Sequence, residues 1–495
     1  MILAAAVNYS WSQAQGDLAQ VSPFLVVTIT LLVAIIVDLL LPAAARALAV
    51  AGIAVAGFLG AIAAALLLHA AGGHAAYSGF ATGDDFAVFF DVFFAVLGIL
   101  TVLVTHPYLA RRGFLAPEFY VLLLAATAGM MVMGSATSLV TVFLGLELLS
   151  IALYVMTGFA RKDTRSQEAG AKYLLMGGFA SAFVLYGMAL IYGATGSTVL
   201  STIAKEAGSN SGSNLLLLGI LLMGVGFAFK VSAAPFQMWT PDVYEGAPVA
   251  VTAFMSVGTK AAAFAIIIRV FLQGLPGVST DWGAFLAFVA AASMVVGNLG
   301  AIVQTSLKRL LAYSGIAQAG YILVGLLGAR PAGQDSVLFY LVAYLFMNLG
   351  AFAVLILLAG PAADSDRFED LDGLGRRNPA LAVVMTVFML SLAGFPPTAG
   401  FIGKFFLFSA AVAGGYTWLV VLAVLMSVVS VYYYFRVIVH IWSPGPVEER
   451  VPVGLGPRVA IAVSVAFVIV LGILPSLVLG LAHLGAAPIA LAAGR

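Results

Sequence analysis

Fourteen apolar runs fill almost the whole chain, at residues 21–41, 47–70, 86–106, 117–133, 137–160, 168–193, 215–242, 248–272, 283–304, 308–328, 337–359, 380–411, 416–441 and 457–480. A helix crossing about 30 Å of hydrocarbon needs roughly twenty such residues. Lipid supplies no hydrogen-bond partner, so a crossing backbone must satisfy itself, and runs of this length do so as helices. The expected fold class is all-α: a polytopic membrane protein of about 14 transmembrane helices with no soluble domain. Only 9% of the 495 residues are charged, against about 25% in a soluble domain.

An even number of crossings puts both termini on one side, and the basic residues indicate which. One set of alternate loops carries Arg46, Arg111, Arg112, Arg161, Lys162, Arg165, Lys308, Arg309, Arg367, Arg376, Arg377, Arg450 and Arg458. The other set carries Lys205, Arg330 and Arg495. The positive-inside rule places the first set in the cytoplasm and both termini outside a cell membrane. Residues 1–20 lack a basic stretch and hold Asn8, Gln13, Gln15 and Asp17, so they read as an external lead-in and not as a cleaved signal. Ser197 to Asn214, rich in Ser, Gly and Asn, reads as the main external loop, and Gly360 to Pro379 as the longest cytoplasmic one.

Several function classes are excluded or made improbable. A formal net charge of +1 argues against a nucleic-acid partner. The chain has no cysteine, hence no disulfide and no cysteine-ligated iron-sulfur cluster. Its five histidines show no metal-ligand spacing on one helix, and no Gly-rich nucleotide loop is present. No metal or cofactor is expected in this chain.

Against that apolar background a few charges stand out. Glu147 falls about halfway along the fifth run, Lys230 and Lys260 near the middles of the seventh and eighth, and Lys404 in the twelfth. A lysine at the bilayer centre costs roughly 2.5–3.5 kcal/mol on insertion scales, and such residues mark ion or proton paths. A free lysine titrates near 10.4, so proton cycling at neutral pH requires a shift of about 3 units, roughly 4 kcal/mol. Burial alone is able to supply that. The plainer readings are a hydrogen-bonded structural carboxylate for Glu147 and snorkelling or structural lysines for the rest. Lys172, five residues into its run, is the strongest case for snorkelling. Asp38 and Arg269, near span ends, read as interfacial. Arg436 and His440 read as part of an aromatic and basic belt beside Tyr432, Tyr433 and Tyr434, with a cytoplasmic proton entry as the alternative.

Prolines interrupt two of these runs, at Pro235 in the seventh and at Pro396 and Pro397 in the twelfth. Broken helices survive in a membrane only where protein or a wet cavity covers them. An offset of five crossings makes the two antiparallel, the mark of an inverted repeat of helices 4–8 against 9–13 with its site near the midplane. The expected divisions are residues 1–116 for three N-terminal helices, 117–272 and 283–441 for the repeats, and 457–480 for the last helix, all within a single integral membrane domain.

Six stretches carry a resemblance: Pro117–Leu123, Gly145–Ser150, Glu168–Leu175, Phe229–Pro248, Leu307–Tyr321 and Leu392–Lys404. Through them the chain resembles the antiporter-like membrane subunits of respiratory complex I, with Phe229–Pro248 the most specific. The resemblance implies a proton-translocating subunit coupling NADH oxidation and quinone reduction to proton transport. Glu147 and Lys230 would form the first pair, Lys260 a central relay and Lys404 the second site, with Lys172 beside the first. The same resemblance implies companion antiporter-like subunits M and L, the small subunits J and K, and two more designated A and H, the latter at the quinone site. FMN and iron-sulfur clusters would reside in other subunits, with quinone as electron acceptor. Gln318 departs from relatives that carry histidine there and is unable to titrate. A second function class, a Mrp-type cation/proton antiporter subunit, is disfavoured by a lysine-rich axis, and a passive spacer would leave the central charges unexplained.

Overall fold

The structure, a computed structural model, describes residues 10–209, 212–360, 364, 366–445, 450 and 452–493. Its helices are α1 (Trp11–Gln20), α2 (Ser22–Leu40), α3 (Ala43–Ala71), α4 (Asp85–Arg111), α5 (Glu118–Ser135), α6 (Leu139–Thr157), α7 (Thr164–Thr195), α8 (Leu200–Ser209), α9 (Asn214–Lys230) and α10 (Trp239–Gly246). They continue as α11 (Val249–Ile267), α12 (Ser279–Ile302), α13 (Leu307–Leu326), α14 (Ala332–Leu358), α15 (Leu374–Arg377), α16 (Pro379–Ala393), α17 (Ala399–Ala413), α18 (Thr417–Trp442), α19 (Leu455–Ile473) and α20 (Ser476–Ala493). Eleven helices are long and apolar enough to cross a membrane. The twenty-residue α13 and the two broken runs, α9 with α10 and α16 with α17, complete the fourteen expected crossings among the described residues.

Burial sorts the helices into rings. The segment Val249–Gly274 is wholly buried and α14 nearly so, whereas α2 and α3 show most of their surface to the outside. Lipid tails are as apolar as leucine, so what a helix buries here is decided by packing rather than by hydrophobicity. A charge on α11 therefore lies in protein, whereas Asp38 near the end of α2 is only partly covered.

Both proline-marked breaks are observed, and their backbone groups are accounted for within the protein. In the first, the Ser293 hydroxyl accepts from the Ala234 N–H at 2.8 Å, and the Trp239 indole donates to the Phe229 carbonyl at 3.0 Å. In the second, α16 ends on Gly394 at φ 92°, a left-handed conformation that a glycine adopts without strain.

Four local readings differ from the sequence expectation. The lead-in is helical from Trp11, its first turn closed by a reciprocal Ser10–Gln13 cap; residues 1–9 fall outside the described ones. The presumed loop 197–214 contains α8, whose Leu200 and Ile203 are buried. The last span stops at Ile473, and α20 follows it to pack on α4, on α14 and on the π-helical turn Ile268–Gly274. Finally, Arg269, read as interfacial, does not reach the surface of the protein. It is fully buried, donates to both Asp84 oxygens at 2.6 and 3.0 Å and to the Gly134 carbonyl, and stacks on Phe86. An arginine this deep requires a paired carboxylate and filled donors, which these contacts provide.

Candidate functional site: a row of buried cations

Lys230 is the last residue of α9, placed at the first break, and is 3% exposed. Its ammonium donates to the Ser150 hydroxyl at 2.7 Å and lies 5.6 Å from the ring centres of Tyr154 and Tyr173, faces that attract a cation. Ser150 is one turn beyond Glu147 on α6, and its own hydroxyl donates to the Leu146 carbonyl. No direct ion pair joins them among the described residues; the Glu147 carboxylate instead accepts from Ser181 on α7. The two expected partners are thus each held by a serine, Lys230 by Ser150 and Glu147 by Ser181.

Aromatic rings lead from Lys230 to the next cation. Tyr173 stacks on Trp239 at 4.5 Å, and Trp239 meets Tyr244 edge-on. Lys260, at 0% exposure on α11, donates to the Tyr244 hydroxyl at 3.4 Å and lies over its ring. It is lodged against Gly315 of α13, where even a Cβ would come within 3.0 Å of the ammonium.

Lys404 is the sixth residue of α17, on the far side of the second break, yet its ammonium reaches back to the end of α16. It donates to the Leu392 and Ala393 carbonyls at 3.2 and 3.0 Å and to the Ser427 hydroxyl at 3.0 Å, above the Tyr321 ring. The carbonyl end of a helix carries partial negative charge, so the broken helix makes its own cation site. The two break lysines sit on opposite sides of their breaks in sequence while both ending at one.

Lys172 stands apart. It is 42% exposed and bonded to Glu168 at 2.7 Å and Asp242 at 3.1 Å. Asp242 also accepts from Arg309 at 2.8 Å, and Arg309 bonds Glu245. This ladder borders a cleft of about 1000 Å³ on the face of the basic loops, lined among others by Arg165, Glu245, Lys308, Asp364 and Asp366. Asp364 takes hydrogen bonds from Tyr108, from Lys308 and from the first N–H of α11, tying the long 360–379 connection to both halves. Burial pushes the Asp366 carboxyl up, partly offset by Lys308 and by the Ser306 hydroxyl. His440 pairs with Asp372 at 2.8 Å, and Arg436 donates to the Gln304 carbonyl and stacks on Phe368. Both therefore anchor that connection.

Two carboxylates escaped the sequence reading, and Tyr434, read there with Tyr433 as part of a membrane belt, is fully buried as Tyr433 also is. Asp84 is the partner of Arg269. Asp91 is buried and makes no hydrogen bond or ion pair among the described residues. Tyr434 joins Ser314 and Gln318 between the last two lysines. No metal-binding group of three His, Asp or Glu side chains occurs among the described residues.

A helical membrane bundle with two broken helices, each presenting a lysine, and a third lysine between them defines the antiporter-like class. The family model described as NADH:quinone oxidoreductase/Mrp antiporter, transmembrane, matches residues 136–430. Similar proteins include NADH-quinone oxidoreductase subunit N of Trichlorobacter lovleyi, 49% identical over 81% of this chain and 83% of that one, and that of Chloroflexus aggregans, 42% identical over 94% and 96%. A chain in respiratory complex I of Thermus thermophilus, solved with bound aureothin, is 35% identical, with a TM-score of 0.76 over 92% of this chain and 98% of that one. A chain of the Mrp complex from Dietzia sp. DQ12-45-1b, 24% identical with a TM-score of 0.83 over 95% and 97%, shares the fold. The chain belongs to the NADH-quinone oxidoreductase subunit N family.

Proposed function

We propose that this chain is a proton-translocating subunit of the membrane arm of an NADH:quinone oxidoreductase, working with other membrane subunits. The observation that supports it is the set of three buried lysines, Lys230 and Lys260 held by hydroxyls and aromatic faces and Lys404 by two carbonyls, a hydroxyl and an aromatic face. Redox chemistry belongs to partner subunits carrying FMN, iron-sulfur clusters and the quinone site, among which H, A, J, K, M and L are the expected neighbours. The face of the basic loops is the cytoplasmic one of a cell membrane, with both termini opposite.

The mechanism follows from charge. A proton enters from the cleft beside Glu245 and passes the Lys172–Asp242 ladder. Lys230 holds it while the Glu147 carboxylate, acting through space, offsets its charge. When a neighbouring subunit changes the charge near Glu147, that support is withdrawn and the proton moves to Lys260 and then to Lys404. Moving one charge against 100 mV costs about 2.3 kcal/mol, comparable to a two-unit change in proton affinity at 1.36 kcal/mol each.

The Mrp-type reading differs in its ion. Sodium prefers carboxylate and carbonyl oxygens, and the centre of this row presents ammonium groups instead. Proton uptake by proteoliposomes containing the complex should be the same in sodium-free choline medium as in sodium medium. Uptake that required sodium would overturn the assignment in favour of cation exchange.

A further inference from the structure

We propose that Tyr434 is a proton-relaying residue between Lys260 and Lys404, a role that rests on transport along the row described above. Tyr434 is on α18, a helix that carries none of the three lysines, and it is fully buried. Its hydroxyl is 2.5 Å from the Ser314 hydroxyl and accepts from Gln318 Nε2 at 3.3 Å.

Each contact reaches one lysine's surroundings. Ser314 adjoins Gly315, the glycine against which the Lys260 ammonium and the Tyr344 hydroxyl are packed. On the other side, Gln318 Nε2 also donates to the Leu392 carbonyl at 3.2 Å, the same oxygen that accepts from Lys404 at 3.2 Å. Tyr434 is thus one hydrogen bond from the wall of the first lysine's cage and two from an atom that the second lysine touches.

Chemistry decides which group in this stretch is able to pass a proton. The amide of Gln318 is committed throughout: its nitrogen serves Leu392 and Tyr434, and its oxygen accepts from the Tyr340 hydroxyl. An amide of fixed orientation holds its neighbours in place, whereas a hydroxyl accepts with a lone pair while donating its hydrogen. The step balances without any co-reactant. The proton leaving Lys260 goes to the Ser314 oxygen, Ser314 gives its own hydrogen to Tyr434, and Tyr434 releases its hydrogen towards the neutral amine of Lys404. Both oxygens end as hydroxyls, Lys260 ends neutral and Lys404 ends charged. Gln318 is the positioning residue, holding the Tyr434 hydroxyl between the two cages.

The neighbouring Tyr433 provides an internal comparison. It is equally buried, but its hydroxyl donates to Asn298 Oδ1 at 3.0 Å, and the Asn298 nitrogen in turn serves the Met294 carbonyl and Tyr321. That set braces α12, α13 and α18; although the Tyr433 ring lies 4.5 Å from that of Tyr434, Tyr433 makes no direct hydrogen bond to Ser314 or Gln318 among the described residues.

The test uses the assembled complex in proteoliposomes, with Tyr434→Phe and Tyr433→Phe compared for NADH:quinone turnover, proton uptake and solvent deuterium isotope effect. Tyr434→Phe should lower coupled turnover about 100-fold, the lower end of what a lost proton-transfer group costs, and raise the isotope effect. Tyr433→Phe should leave the isotope effect unchanged. Wild-type turnover and isotope effect in Tyr434→Phe, or an equal change in both variants, would overturn the proposal. Should Tyr434→Phe fail to assemble, Ser314→Ala carries the same expectation. A parallel Lys404→Ala separates the layers: loss there with normal Tyr434→Phe removes the relay alone, whereas normal pumping in Lys404→Ala removes the reading beneath it.

Discussion

Gly315 leaves room for the Lys260 ammonium at the point where α13 passes α11. A methyl group there would come 3.0 Å from the ammonium and 3.2 Å from the Tyr344 hydroxyl. The lysine end is flexible and would yield, so Gly315→Ala should assemble with a melting temperature close to the native one. Its quinone reductase rate should nonetheless fall several-fold, because displacement by about 1 Å is able to cost up to 10²-fold in a positioned reaction. Unchanged rate with intact assembly would show that Lys260 needs no fixed place. The three lysines were legible in sequence because an isolated charge in an apolar run has few bland explanations. Tyr434 was not, since neutral polar residues are common in such helices and only the packing of α13 on α18 gives it its partners, and Gln318 was noticed only as a departure from histidine. Arg269 misled for another reason: it lies near a span end, where snorkelling is usual, and its partner Asp84 is 185 residues earlier.

At the scale of elements, the breaks were foreseen from Pro235, Pro396 and Pro397, while the break after Ile473 was read through, although Pro475 marks it with the same residue type. The surroundings of Lys404 show what a break supplies: free carbonyls at the end of α16 that hold a cation without any carboxylate. The opposite solution occurs at the start of α4, where the Asp84 carboxylate caps the helix by accepting from Ala87 and also neutralises Arg269. Arg269→Met would strand Asp84 beside the Gly134 carbonyl, and loss of one partner of a buried pair typically costs about 3–5 kcal/mol. The expected outcome is a clear fall in thermal stability or yield of the assembled complex, partly restored when Asp84→Asn is added, because contacting residues do not act additively. Equal stability of the single variant and the native chain would show that the pair is not holding α4 to the π-helical turn.

Across the whole molecule, the wholly buried segment that carries Lys260 packs on the first broken helix and, through α13 and α14, reaches the second, so the way from one lysine to the next runs through protein. Neither this way nor its hydroxyl and aromatic spacers was visible in the sequence, because each lysine draws its cage from helices far away in the chain, as Lys230 does from α6 and α7. Lys172, by contrast, belongs to the ladder at the mouth of the cleft. The most direct measurement is proton uptake per quinone reduced by the reconstituted complex carrying Lys230→Ala, with assembly verified and Lys172→Ala beside it. Transport through the buried row requires that Lys230→Ala abolish or sharply reduce uptake, while Lys172→Ala, which removes one half-exposed rung at the entry, lowers it less. Native uptake and native turnover in Lys230→Ala would contradict the proposed path and make the lysine a structural charge.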